Sequence, residues 1–245
     1  MRYDLPAVCA RLLYDGEVDL GLVPCIEYLR RPDYRFVPGI GIGSRRAVKS
    51  VALYTRRDTK DIRHIALDTS SRTSVALTRV LSARVFNITP EFHPLGPDLP
   101  AMLAGHDAAL LIGDRALLAA TGPMQAGDRE VFVEKIDLGE AWLSATGLPF
   151  VFALWVGRGG ALKPEHVARL QQARDEGRAN LETVSAEFFA GAGGAQPELV
   201  ARGAAYLRDN IRHHLGEDER AGLTLFYRYA AETGVVPATQ PLRFF

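Results

Sequence analysis

IRHIALDTSSRTSVALTRVL, residues 62–81, reads as a buried strand, a hydroxyl-rich turn and the opening turns of a helix. A helix N-terminus leaves backbone N–H groups unpaired at the positive end of its dipole, so the DTSSRTS turn is a seat suited to a carboxylate or phosphate. One N-cap needs one hydroxyl. Here Thr69, Ser70, Ser71, Thr73 and Ser74 fall within six positions, and Arg72 adds a guanidinium able to grip a carboxylate with two bonds. Ligand binding is therefore favoured over capping alone. The GxxxxGK[ST] pattern of a nucleotide loop is absent, as is GxGxxG.

Working outward, Val85–Ile88 reads as a second strand, TPEFHPLGP as a loop, Asp98–Gly105 as a helix and Asp107–Ile112 as a strand ending in Gly113-Asp114. Glycine there lets a ligand approach the backbone, and Asp114 serves equally well as the cap of RALLAA. Upstream, DLPAVCARLLYDGEVDLGLVPCIEYL follows the same plan as DLPAMLAGHDAALLIGDRALL: the tetrapeptide DLPA, a helix, a glycine, an acid, an apolar strand and a new helix. The repeated unit is βαβαβ, complete only in the second copy. The first copy lacks roughly 35 residues if the units are equivalent, which predicts that the chain begins inside a domain.

Cys25 and Glu27 leave the carboxyl end of the strand Val18–Val23, where α/β folds bind ligands, although a small buried thiol and a first-turn glutamate explain them structurally. Arg35–Ile42 and Val48–Tyr54 read as strands, with Ser50 near the start of the second. The charged turn TRRDTKD, Thr55–Asp61, is the expected crossing between two lobes. Gly127–Glu134 reads as a hairpin or loop, Ile136–Gly147 as a helix, and LPFVFALWVGR as a long buried strand. An amphipathic helix from Pro164 to Gly177, a second over NLETVSAEFFAG, a glycine-rich break at Gly191–Gly194 and two more helices form an all-helical tail.

At 245 residues the chain can bury a sizeable core, and its 29 basic and 29 acidic residues leave no polyelectrolyte signature for nucleic acid or anionic membrane. No apolar run approaches the ~20 residues of a transmembrane helix. The two cysteines, Cys9 and Cys25, lack disulfide or zinc-ligand spacing, and the six histidines show no HExxH pattern, so no metal centre is expected. With no secretory signal pattern at the N-terminus, the expected compartment is cytoplasmic.

The segments LVPCIEYL, VKSVALYTRR, IALDTSSRTSVAL, DAALLIGDRAL and DLGEAWLSATGLPFVFALW, in this order, resemble the chorismate dehydratase family of the futalosine route to menaquinone, and the likeness extends to YLRDNI and GLTLFYRYA. The resemblance implies an α/β, two-lobed fold of the type II periplasmic-binding-protein kind, with a ligand cleft between the lobes. Lobe 1 would comprise residues 1–56 and 150–245, incomplete at its N-terminus, and lobe 2 residues 57–149. It implies elimination of water from chorismate, with no cofactor and with the substrate's own carboxylate as base. Substrate binding falls on Ser70, Ser71, Arg72, Thr73 and Ser74, with Ser50, Gly113, Asp114 and Cys25 lining the cleft. The family's SYLN-like loop, whose asparagine faces the substrate, has no counterpart in this sequence, so no catalytic residue is assigned. Chorismate is the expected partner, nucleic acid and membrane are excluded, and a homodimer is admitted. A cytosolic carboxylate-binding protein without catalysis is the alternative reading.

Overall fold

The computed structural model describes all residues except Met1, Ala192, Gly193 and Ala195. Pro6 opens helix α1 (Pro6–Asp15), and Gly16, at φ 83°, closes it by donating its N–H to Leu12 and Leu13 carbonyls. That left-handed conformation is open to glycine without a Cβ penalty. Strand β1 (Leu20–Pro24) follows, then one 3₁₀ stretch (Cys25–Arg30) and the long β2 (Tyr34–Ser44). The described residues form two sheets. In the first, β1 and β2 flank β9 (Phe150–Arg158), and β10 (Arg212–Leu215) adds to β2, every neighbouring pair being antiparallel.

The second sheet holds β3 (Val51–Thr55), β4 (His64–Asp68), β5 (Glu91–Leu95), β6 (Ala108–Ile112), β7 (Gly122–Ala126) and β8 (Arg129–Asp137), in the order β5-β4-β6-β3-β8-β7. Its β5-β4-β6 portion is parallel, and β3 runs antiparallel to both β6 and β8. Helices α2 (Arg72–Arg84), α3 (Leu99–Gly105), α4 (Gly113–Leu118) and α5 (Leu138–Thr146) belong to this half of the chain. The tail supplies α6 (Pro164–Ala179), α7 (Leu181–Gly191), α8 (Pro197–Asp209) and α9 (Glu217–Glu232).

Strand alternation divides the side chains between two cores. Leu53, Ile65, Leu67 and Leu110 face a large core shared with Val23, Phe36 and Leu154 of the first sheet and with Leu77 and Leu81 of α2. Ala52, Tyr54, Ala66 and Leu111 face the opposite side, against Met102 and Leu103 of α3. Trp142 of α5, fully buried, packs its ring 5.4 Å from Phe150 of β9 and 6.0 Å from Phe226 of α9, so one aromatic cluster binds the two halves together. Asp137 secures the adjoining crossover: its carboxylate accepts from the N–H groups of Gly139 and Glu140 at the start of α5 and from those of Val48 and Lys49.

Four expectations change. Because β3 lies in the six-stranded sheet, the chain leaves the first sheet after Ser44, ahead of the Thr55–Asp61 turn. The strand expected at Val85–Ile88 forms instead at Glu91–Leu95, where Pro94 is tolerated because β5 is an edge strand. The tail is not all helical, since Arg212–Leu215 adds to the exposed side of β2. Helix α6 continues through Gly177 to Ala179 and buries no residue, so its periodicity marks a surface cover. The break expected at Gly191–Gly194 falls partly outside the described residues.

Candidate functional site

Strand register decides which predicted residues share an end of the six-stranded sheet. Leu67 of β4 pairs with Leu110 of the parallel β6, and Val51 of the antiparallel β3 pairs with Ile112. The DTSSRTS turn, Gly113-Asp114 and Ser50 therefore emerge together, from the carboxyl ends of β4 and β6 and the start of β3. Gly113, at φ 65°, donates its N–H to the Ser50 carbonyl at 2.7 Å, joining two of these segments directly.

Within the turn, Asp68 is buried and its Oδ1 accepts from Ser70 N at 3.0 Å and Ser70 Oγ at 2.6 Å. Ser71 is the N-cap of α2, accepting from Ser74 N at 3.4 Å, with its Oγ 3.1 Å from Ser74 Oγ. Capping by Ser71 satisfies Ser74; of the two N–H groups without an intrahelical acceptor at the positive end of the helix, that of Arg72 belongs to a half-buried residue and that of Thr73 to a buried one. The turn is thus tied by its own hydrogen bonds, from Ser70 to Asp68 and from Ser74 to Ser71.

Arg72 and Thr73 also meet the 3₁₀ stretch that follows β1. The Arg72 guanidinium pairs with the buried Glu27 carboxylate at 2.9 Å, and Arg30 reaches the same oxygen at 3.1 Å. Thr73 Oγ1 accepts from Ile26 N at 3.3 Å and lies 3.6 Å from Cys25 Sγ. These are ties between the two halves of the chain, made by side chains 45 to 48 residues apart in sequence. The cavity of about 540 Å³ that Arg72 lines, with Glu27, Arg30 and Arg79, opens on that side of α2.

Cys25 is wholly buried, donates its thiol to the Val151 carbonyl at 3.0 Å, and has its own carbonyl engaged by Tyr227 Oη at 2.6 Å. Burial pushes its pKa up to about 12, so the sulfur stays a protonated, inert thiol at neutral pH. Iodoacetamide at about pH 8 is expected to spare Cys25 in the folded chain and modify it in urea; equal labelling in both states contradicts this placement. The folded value is raised above the unfolded one, so the stabilisation is complete below the ordinary thiol range and is lost as pH rises from there toward about 12.

Ser50 Oγ lies 2.6 Å from Tyr206 Oη of α8, whose pKa is raised chiefly by burial. Tyr206, Lys49, Asp114, Asn210, Phe188 and Phe189 line a cavity of about 520 Å³ at this end of the sheet. Its walls are mostly apolar, and Lys49 and Arg202 are balanced there by Asp114 and Asp209, a composition suited to a ring-shaped ligand with polar groups at its edge. Of the predicted residues, Asp114 lines this cavity and Ser50 reaches it through Tyr206. Tyr206, Lys49 and Asn210 escape sequence reasoning because nothing local marks them; the Ser50–Tyr206 bond spans 156 residues.

A family model described as menaquinone biosynthesis matches residues 1–232. Chorismate dehydratase of Thermus thermophilus is 35% identical over 232 residues, covering 91% of this chain and 83% of the relative. Among solved structures, a protein of Archaeoglobus fulgidus superposes with a TM-score of 0.63 at 19% identity, over 96% of this chain and 86% of that one. The periplasmic aliphatic sulphonate binding protein of Escherichia coli gives 0.57 at 16% identity, over 98% and 81%. At these identities the two structures speak to fold alone, and that fold is the periplasmic-binding-protein kind.

Proposed function

The chain belongs to the menaquinone-biosynthesis family, and on that premise we propose that it is a chorismate dehydratase, a hydro-lyase converting chorismate to 3-(1-carboxyvinyloxy)benzoate and water. The observation that carries this reading is the identity with the Thermus enzyme across most of both chains. The reaction removes a proton from ring C3 and hydroxide from C4, and the electron pair of the broken C–H bond completes an aromatic ring. Proton and hydroxide leave together as water, and both carboxylates survive unchanged.

Such an elimination asks the protein for orientation, exclusion of solvent and a proton path more than for a nucleophile or an electron sink. In this reading one carboxylate sits at the start of α2, on the half-buried Ser70 and Ser71 and the Arg72 N–H, while the buried Thr73 and Ser74 support the turn from beneath. The ring occupies the apolar cavity bounded by Tyr206 and Asp114, with Ser50 behind Tyr206 and Lys49 offering a charge to the second carboxylate. Arg72 and Cys25 then hold the halves of the chain together beside the seat, through Glu27 and Thr73. The substrate's side-chain carboxylate acts as base, and the enzyme works in the cytoplasm without a cofactor.

Calorimetry with chorismate tests the proposal. Sustained heat from turnover supports a dehydratase. Saturable, reversible heat with intact chorismate recovered afterwards overturns catalysis in favour of a carboxylate-binding protein, and no heat at all removes both readings.

A further inference from the structure

At the amino-terminal ends of β4 and β5, remote from the anion turn, three potential metal ligands converge. The parallel register sets His64 opposite Glu91 and Ala66 opposite His93, and residues two apart on a strand share a face. Glu91 Oε2 lies 3.7 Å from His64 Nδ1 and 3.7 Å from His93 Nε2, and one ligand atom from each residue lies within 4.8 Å of the others. His93 Nε2 is shielded from solvent and has no hydrogen-bond partner, an orphan polar atom aimed into the cluster. The His106 ring packs 4.9 Å from His93, and its Nδ1 is engaged by the Met102 carbonyl at 2.9 Å, so it buttresses the cluster from behind.

We propose that His64, Glu91 and His93 bind a transition-metal dication of the zinc class. Two imidazoles and a carboxylate form a donor set for such an ion, at roughly 2.0 to 2.2 Å from each ligand, with water in the remaining position. Small rotations of exposed side chains would close the present spacing to that range. The ion would fasten edge strand β5 to β4 at the amino-terminal end of their parallel pairing, adding side-chain bonds to the backbone ladder that already joins them. Its site is separated from the anion turn by the length of β4, roughly 13 Å for a strand of this size, so it would act on stability and leave turnover alone. Spacing rules for single elements miss it, because the ligands lie on two strands 27 residues apart at the pair His64–Glu91.

Zinc chloride titrated into tag-free, chelator-treated full-length chain is expected to bind saturably at one equivalent. Melting should shift upward by about 5 °C at zinc a hundredfold above its dissociation constant. His93→Ala and Glu91→Gln should each weaken binding at least tenfold, with circular dichroism unchanged because both sites are surface-facing, and cobalt(II) should give visible d–d bands that disappear in the same variants. The double variant His213→Ala/His214→Ala should bind as the parent does. Absence of saturable binding, or affinity that follows His213 and His214 instead of His64 and His93, overturns the site.

Discussion

A chain carrying Ser70→Ala and Ser71→Ala is expected to lose roughly a hundredfold in kcat/KM for chorismate, from two hydrogen bonds to a charged group at the lower end of their usual worth, about 1.5 kcal/mol each. The lower end is appropriate because both hydroxyls already serve the turn, Ser70 on Asp68 and Ser71 on the Ser74 N–H. Ser71 accepts there and can still donate its proton to a ligand carboxylate, whereas Ser70 must turn its one proton away from Asp68 to do so. The Ser71 change also removes the α2 cap, which costs about 1 kcal/mol of stability, so thermal melts run beside the kinetics separate the two effects. A KM rise with kcat preserved would identify the hydroxyls as uniform binders. Unchanged kcat/KM would return them to a purely structural role in the turn.

Trp142→Ala is expected to be the most damaging single change to stability, lowering it by about 3 to 5 kcal/mol as deletion of a buried indole does. Trp142 is fully buried between Phe150 of the first sheet and Phe226 of the C-terminal helix, while its own helix begins at the Asp137 knot that anchors Val48 and Lys49. The cavity would open where both halves of the chain share their core, so relaxation on one side is opposed by packing on the other. For a chain of this length the loss corresponds to a fall in Tm of roughly 10 °C. Urea unfolding measures it directly, and a loss under about 1 kcal/mol would show that the aromatic cluster does not couple the halves.

What the sequence makes legible here is what local physics controls. The strand, turn and helix from His64 to Arg84 follow from a short continuous apolar run, clustered hydroxyls and a capping serine, all within neighbouring residues, and Gly16 and Gly147 end helices where their left-handed φ values require glycine. Elements made by distant pairing are less visible. Glu91–Leu95, with its histidine and proline, and Arg212–Leu215, with two histidines, carry no strand-forming pattern of their own and become strands because β4 and β2 offer them an edge. The same holds at the candidate site. Clustering pointed to Ser70–Ser74, and a strand end to Gly113-Asp114, but the partner that engages Arg72, Glu27, and the one that engages Ser50, Tyr206, emerge only when the chain is folded. Arg72 illustrates the difference: its residue type suits a substrate carboxylate, and its position gives it a protein carboxylate first.

The most direct test of the central claim is proton NMR of chorismate incubated with the purified chain. The account predicts that the ring C3 and C4 proton signals of chorismate vanish while four aromatic ring protons and the retained enolpyruvyl methylene appear. Chorismate that persists unchanged, or that gives an aromatic product without the enolpyruvyl group, would contradict it.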